Sequence, residues 1–187
     1  IIVDAFNARD RHAHSLYKAL EQSSNTDGLT GIYNRKMFDI QANKELSRAL
    51  RYAMPLSLIN IDLNNFKQIN DTYGHQAGDQ VLKAFTQSIS SLLRKSDMFA
   101  RVGGEEFCIL LQNTSSKGAM VFAERICKTV DDLTVDVAEN SIHITVSIGM
   151  ATLDEDESVE ALIHKSDVAL YQAKKNGRNQ VQIYQQS

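Results

Sequence analysis

Two glycines followed by two glutamates, Gly103-Gly104-Glu105-Glu106, separate two apolar runs at residues 98–102 and 107–111. The runs have the composition of strands, and a short glycine-containing connection between them predicts a β-hairpin. Adjacent carboxylates repel each other, and turns favour Asn, Asp and Gly instead. The turn is therefore either a solvated charged loop or a place where a cation sits. Because the apolar strands fix its position, the sequence favours the cation.

Helical and strand patterns alternate along the chain from Asp27 onward. Such alternation predicts an α/β domain with a single mixed β-sheet flanked by helices. Apolar residues at helical spacing predict helices at residues 38–50, 81–92, 119–130 and 159–173, the last of them capped by Asn176-Gly177. Strands are predicted at residues 56–61, 98–102, 107–111, 142–151 and 180–184.

Residues 1–21 carry apolar side chains at alternating steps of four and three, which predicts an N-terminal helix with a heptad seam. The helix either packs on its own domain or continues a parallel coiled coil from upstream. A polar run then marks a boundary, so we expect a helical extension and linker at residues 1–26 and a domain at residues 27–187. Because the chain starts with Ile1, we expect it to be a piece of a longer protein.

Charge and composition exclude several classes of protein. The net charge of −3 argues against binding a nucleic-acid polymer, because that affinity depends on clustered cations. No apolar run reaches membrane-spanning length and no secretory signal is visible, so this piece predicts no membrane contact. Cys108 and Cys127 lack the spacing of a zinc site, and we expect both to be reduced core residues of a cytoplasmic domain. The full-length protein could be membrane-anchored through its missing N-terminal region.

The apolar strand at residues 56–61 ends at Asp62, which places a carboxylate at the sheet edge. An Asn in the segment that follows suits a helix N-cap. The free N–H groups of the helix's first turn, from Asn65 and Phe66 onward, favour an anion, and Lys67 adds a positive charge beside them. A metal-binding carboxylate next to a phosphate cradle is what a magnesium triphosphate needs, although Asp62 could simply cap the helix.

Two further clusters carry candidate binding residues. Asn70 and Asp79 offer donors and acceptors that match the edge of guanine, while Asp79 could equally be an acid in the first turn of a helix. Lys174 and Arg178 either reach the outer phosphates of a nucleotide or stabilise the C-terminal end of a helix.

With these clusters in view, the sequence resembles the GGDEF family of diguanylate cyclases. The motif at residues 27–35 looks like the family's opening DxLTGLxNR, and residues 62–79 look like DxDxFKxINDxxGHxxGD with Asn64 where the family often has Asp. Residues 101–107 look like RxGGDEF in its Glu variant, and residues 173–179 look like AKxxGRN. A lone GGEEF would be weak, but four motifs in order are specific and cover a full domain.

The resemblance implies a palm-like fold of the nucleotidyl cyclases and condensation of two GTP molecules into cyclic di-GMP with release of pyrophosphate. By position, Asp62, the Leu63 carbonyl, Glu105 and Glu106 would hold magnesium, with manganese as a substitute. Glu105 would also help to deprotonate the attacking 3′-hydroxyl. Lys67, Lys174 and Arg178 would bind phosphates, and Asn70 and Asp79 would read guanine. Because the product has two-fold symmetry, we expect catalysis at the interface of a homodimer.

Residues 94–97 resemble the family's RxxD inhibitory site, where product binds. Arg94 and Asp97 would contact cyclic di-GMP, and Arg125 resembles a second arginine that contacts it from a neighbouring helix. The alternative is a charged helix end, with Arg125 an ordinary surface residue. The sequence therefore predicts a product-inhibited, magnesium-dependent diguanylate cyclase acting as the output domain of a signalling protein. The alternatives are a module that binds nucleotide without catalysis and a cyclase for another nucleotide.

Overall fold

The computed structural model describes residues 25–155 and 157–185. Their helices are α1 (Arg35–Tyr52), α2 (Phe66–Tyr73), α3 (His75–Ser90), α4 (Ser116–Asp131) and α5 (Val159–Lys175). Their strands are β1 (Tyr33–Asn34), β2 (Leu56–Leu63), β3 (Met98–Arg101), β4 (Glu106–Gln112), β5 (Thr134–Val137), β6 (Asn140–His143), β7 (Val146–Thr152) and β8 (Gln180–Ile183).

Six strands form one mixed sheet in the order β1-β3-β4-β2-β7-β8. The central strand β2 runs antiparallel to both β4 and β7, whereas β1 with β3 and β7 with β8 are parallel pairs. All eight residues of β2 are buried, as its apolar run predicts for a strand covered on both faces. The predicted α/β fold with a mixed sheet is confirmed.

Helices cover both faces of the sheet. On one face, α1 and α5 pack over alternate residues of β2, with Phe38, Leu58 and Leu162 in one apolar cluster. On the other face, α3 and α4 pack over the intervening residues, with Ile59 and Phe85 in a second cluster. Because side chains alternate along a strand, Asn60 and Asp62 share the face of Leu58 and point toward α1 and α5.

The strand predicted at residues 142–151 is wrong, because the chain forms two strands there that belong to different sheets. β6 pairs with β5 in a separate two-stranded sheet, and β7 pairs with β2 and β8. Between them, the Thr145 carbonyl accepts the Asn64 N–H at 2.9 Å, beyond the end of β2. Alternating polarity shows which residues face the core, but it does not show which strand each segment pairs with.

The helix predicted at residues 1–21 lies outside the described residues. None of the helices at residues 25–155 and 157–185 combines the length and apolar character needed to cross a membrane.

Candidate active site

Asp62 lies near the C-terminal end of the central strand β2, at the edge of the sheet where the strands end. Its register partners are Glu106 on β4 and Ser147 on β7. The residue is 7% exposed, and its Oδ2 atom lies 2.7 Å from Nζ of Lys174 on α5. The structure therefore brings together two candidate residues that are far apart in sequence.

The Asp62 carboxylate lacks sufficient positive charge around it. Burial raises its pKa, and the nearby Glu106 carboxylate raises it further. Lys174 and Arg178 lower the pKa but do not offset these effects, so the net shift is upward. A raised carboxyl pKa means that the surroundings disfavour the charged form. An additional cation would correct the imbalance.

The GGEEF hairpin is fixed to the end of β2. The Leu63 N–H donates to the Glu105 carbonyl at 3.2 Å, beyond the last register pair, Asp62 with Glu106. The hairpin therefore pairs with β2, which is the arrangement needed for Asp62 and the hairpin glutamates to share one site. Glu106 is the direct register partner of Asp62. The Glu106 carboxylate lies over Gly103, where a Cβ atom would collide with Glu106 Oε2.

Glu105 is electrostatically linked to the same site. Burial raises its pKa first, and the Asp62 carboxylate raises it next, against a smaller lowering by Lys174. A carboxyl group whose pKa is raised by a neighbouring carboxylate is suited to sharing a cation with it.

Arg101 holds the hairpin turn, a role that the sequence analysis did not assign to it. Its Nη2 and Nε atoms donate to the Gly104 carbonyl at 2.6 and 3.1 Å, and Nη1 lies 3.1 Å from Asp27 Oδ1. Burial acts to raise the Asp27 pKa, but hydrogen bonds from Thr30 and the Arg101 guanidinium hold it below its usual value. Arg101 and Asp27 lie in the motifs at residues 101–107 and 27–35, and this position was the sequence signal for a role of these two residues in the site.

An Asn occupies the predicted N-cap position of α2, but its side chain makes no capping bond. This residue is Asn65, with φ of 58°. Asn64 is buried, donating to Thr145 Oγ1 at 2.9 Å and accepting from Ser147 Oγ at 2.7 Å. Neither Asn side chain therefore caps the first turn of α2, whose N–H groups suit an anion, and the exposed Lys67 lies in that turn.

Asn70 and Asp79 lie at the junction of α2 and α3, which meet at Gly74 with φ of 86°. The Asn70 amide packs against Gly78 on α3, where a Cβ atom would collide with Asn70 Oδ1. Asp79 follows Gly78 in the chain and is exposed. The close contact brings the two predicted base-reading residues to one helix junction.

The chain turns sharply after α5. Gly177, Arg178 and Asn179 have φ values of 111°, 62° and 44°. Left-handed backbone is costly for residues other than glycine, and such strain concentrates at functional sites. The Arg178 N–H donates to the Ala173 carbonyl at 3.0 Å, which holds Arg178 beside the helix end. Gly177 signalled a turn, but no sequence signal pointed to the conformation of Arg178.

The donor set fits a divalent cation that is shared with substrate. Within residues 25–155 and 157–185, no three side chains from His, Cys, Asp and Glu form a ready-made metal-binding group. Magnesium does not need one, because it takes one or two carboxylates and completes its shell with water and phosphate. Asp62 and Glu105, with their raised pKa values, are suitable carboxylates.

The residues of the predicted inhibitory site lie around the turn between α3 and β3. The Arg94 N–H donates to Asp97 Oδ2 at 2.9 Å, while Asp97 Oδ1 is buried without a partner among the described residues. From α4, Arg125 donates to the Leu92 carbonyl at 3.2 Å and lies over the Phe122 ring. The three predicted residues thus border one turn, at the opposite end of β3 from the GGEEF hairpin.

Comparisons with known proteins show which family the chain matches. The family described as "Diguanylate cyclase, GGDEF domain" matches residues 24–180. A curated relative, diguanylate cyclase A of Treponema denticola, is 46% identical over 129 residues, which is 68% of this chain and 35% of the relative. The chain thus spans about a third of that relative's length.

Two solved structures are similar over most of the chain. The coiled coil and GGDEF domain of DgcB from Caulobacter crescentus, in complex with c-di-GMP, matches with a TM-score of 0.92 and 28% identity, covering 97% of this chain and 96% of that one. The active GGEEF domain of a diguanylate cyclase from Vibrio cholerae matches with a TM-score of 0.78 and 39% identity, covering 82% and 98%.

Proposed function

Because the chain belongs to the GGDEF family of diguanylate cyclases, we propose that it condenses two molecules of GTP into one cyclic di-GMP and two pyrophosphates. The observation that carries the proposal is the meeting of Asp62, the GGEEF hairpin and Lys174 at one sheet edge. Carboxylates beside cations suit a nucleoside triphosphate with its metal.

Each half of the reaction forms one bond and breaks one. The 3′-oxygen of one GTP bonds to the α-phosphorus of the other, and the bond from that phosphorus to the bridging oxygen breaks to release pyrophosphate. We propose that the Glu105 carboxylate accepts the proton of the attacking 3′-hydroxyl. A carboxylate is a suitable acceptor for such a proton in general base catalysis.

The cations of the site bind the triphosphate. Lys174 and Arg178 hold the outer phosphates, and Lys67 with the first-turn N–H groups of α2 binds the inner ones. These contacts offset the negative charge that develops on the leaving pyrophosphate. Magnesium, or manganese in its place, supplies stabilisation of the attacking and leaving oxygens when bound by Asp62, the Leu63 carbonyl, Glu105 and Glu106.

The junction of α2 and α3 selects the base. The Asp79 carboxylate accepts from the guanine N1–H and amino group, and the Asn70 amide supplies a donor and an acceptor. Adenine lacks the same pattern of donors, so this pair selects GTP over ATP.

Each domain carries one GTP, so two domains must face each other to complete the reaction. We therefore propose that residues 27–187 act as the catalytic domain of a homodimer and that residues 1–26 connect it to the rest of a larger signalling protein. We place the reaction in the cytoplasm, since two free cysteines, Cys108 and Cys127, suit a reducing compartment.

Product inhibition is assigned to Arg94, Asp97 and Arg125. The Asp97 Oδ1 atom, which is buried and has no partner within residues 25–155 and 157–185, supports this assignment, because such an atom is costly unless a donor reaches it, and guanine offers several. Arg94 and Arg125 supply positive charge for the phosphates of the product.

Purified protein incubated with GTP and magnesium, with products separated by chromatography, tests the proposal. We expect cyclic di-GMP, and we expect Glu105→Ala and Glu106→Ala to lower its formation by roughly 100-fold or more, since each removes a group that stabilises transition-state charge. Glu139→Ala, on the exposed turn between β5 and β6, is the matched control and should retain activity. Nucleotide binding without turnover by the wild type, or full activity in both hairpin variants, contradicts the proposal.

A further inference from the structure

Three residues lie side by side across the sheet beneath α5. In register, Cys108 on β4 lies opposite Asn60 on β2, and Asn60 lies opposite Gly149 on β7. Together with Asp167 on α5 they form what we call the α5 seat. Asn60 is 6% exposed and is polar within a central strand that is otherwise largely apolar. A buried amide in that position needs hydrogen-bond partners.

Both functional groups of the Asn60 amide have partners in the seat. Its Nδ2 atom donates to Asp167 Oδ1 at 2.5 Å. Its Oδ1 atom accepts from the Cys108 thiol at 2.6 Å. Burial raises the thiol pKa, so Cys108 stays protonated and can act as the donor. The amide is therefore held in one orientation, with its N–H group aimed at α5.

Gly149 lets the helix backbone rest directly on the sheet. A Cβ atom at residue 149 would collide with the Ser166 carbonyl oxygen and the Leu170 nitrogen. Contact this close fixes the distance from α5 to β7.

Val159 and Leu162 of α5 pack in the apolar cluster with α1, but the packing is incomplete beside Asp167. A cavity of about 130 Å³ opens there, lined by Phe38, Ile163, Asp167 and Leu170 among others. Where the packing is incomplete, a directional hydrogen bond can determine the orientation of a helix. The Asn60–Asp167 bond is the directional contact at this point.

The α5 seat and the candidate active site lie on the same face of β2 and on the same face of α5. Asn60 and Asp62 are two residues apart and share one face of β2. Asp167 and Lys174 are seven residues apart, about two helical turns or roughly 10.5 Å, and share one face of α5. Two parallel contacts therefore join the same strand to the same helix: Asn60 to Asp167, and Asp62 to Lys174 at 2.7 Å.

We propose that Asp167, held by Asn60, is a positioning residue that sets the rotation of α5 so that Lys174 and Arg178 reach the triphosphate. Asp167 acts through Lys174 and Arg178 and does not itself touch the nucleotide. The inference rests on the proposed function, because it takes Lys174 and Arg178 as the groups that bind phosphate.

The test compares binding of the α,β-methylene analogue of GTP, with magnesium, in calorimetric titrations. Asp167→Ala removes the acceptor, and we expect the analogue's Kd to rise about tenfold, in the range usual for groups that orient a binding residue. Asp167→Asn keeps an acceptor oxygen for Asn60 and should bind within about twofold of the wild type. Gln172→Ala, an exposed position on the same helix, is the matched control and should bind as the wild type does.

A double-mutant cycle separates positioning from general stability. In a Lys174→Met, Arg178→Met background, Asp167→Ala should change the Kd by less than about twofold, because both groups through which it acts are already missing. A full tenfold loss in both backgrounds overturns the proposal, as does wild-type binding by Asp167→Ala. If Asp167→Ala does not fold, Asn60→Val breaks the same bond from the strand side and carries the same expectations. A wild type that does not bind the analogue contradicts the proposed function itself, which distinguishes the two failures.

Discussion

At the scale of single residues, Lys174 pairs with Asp62 and is also proposed to bind phosphate. Its ammonium group lies 2.7 Å from Asp62 Oδ2 and supplies positive charge beside a carboxylate whose pKa is raised by burial. Under the proposed function, a metal held by Asp62 would supply that positive charge instead, and Lys174 would then contact the triphosphate.

Lys174→Met should therefore change metal and nucleotide affinity in opposite directions. Without nucleotide, we expect Mn²⁺ to bind several-fold more tightly than to the wild type, because a competing positive charge is gone. Binding of the GTP analogue should weaken about tenfold, because a charge-assisted hydrogen bond is lost. Calorimetric titrations measure both affinities. Lys175→Met, at the neighbouring exposed lysine, is the control, and unchanged Mn²⁺ affinity in Lys174→Met would argue against this account.

Asp27 makes a prediction about pH. Its folded pKa lies below its unfolded value, so its contribution to stability is present above the unfolded pKa and is lost as pH falls through the folded pKa. Asp27→Asn should lower stability at pH 7 by roughly 1–2 kcal/mol, the scale of a charged hydrogen bond that is partly exposed. Thermal unfolding from pH 7 to pH 3 should show the difference shrinking below about pH 4. A difference that is constant with pH contradicts the account.

At the scale of elements, the site depends on close contacts that only glycine permits. Gly78 lets α3 approach the Asn70 amide on α2, and Gly149 lets α5 approach β7. Neither residue carries functional atoms of its own, but each sets the position of an element that does.

Gly78→Ala should weaken guanine-nucleotide binding without unfolding the protein. The added methyl group displaces the Asn70 amide, so we expect about a tenfold rise in the Kd of the GTP analogue, comparable to losing one good hydrogen bond. Alanine favours helix over glycine by up to about 1 kcal/mol, which limits any loss of stability. Gly118→Ala, in the first turn of α4, is the matched control, since its Cβ atom would meet only Thr114 and Ser115 side chains. Equal binding by both variants contradicts the role of Asn70.

The elements themselves were largely predictable. The apolar run of β2 and the helical spacing of α1, α4 and α5 correspond to the strand and helices that form. The break between β6 and β7 was not predictable, because Ile142, Ile144 and Val146 continue one alternating pattern through it. Where the strands separate, the Asn64 N–H donates to the Thr145 carbonyl, a long-range contact that no local pattern encodes.

The site was predictable as a set of residues but not as a set of contacts. The position of Asp62 after an apolar strand and the paired glutamates were visible in the sequence. The Asp62–Lys174 ion pair and the bonds of Arg101 depend on how β2, α5 and the hairpin assemble. Asn60 did leave a signal, as a polar residue inside an apolar run, but its partner Asp167 lies 107 residues away.

At the scale of the whole molecule, the proposed function gives one chain half of the reaction. Asp62, the GGEEF hairpin and Lys174 meet at a single sheet edge, and one such edge suits one triphosphate. Under that proposal, a product with two-fold symmetry needs two such edges facing each other. Activity should therefore depend on how often two domains meet.

The rate of cyclic di-GMP formation per chain, measured against protein concentration with saturating GTP and magnesium, tests the central claim most directly. The account predicts a rate per chain that rises with concentration and then levels off as dimers fill, with Glu105→Ala at least 100-fold lower throughout. Formation of no cyclic di-GMP at any concentration, or a constant rate per chain from protein that stays monomeric, would contradict it.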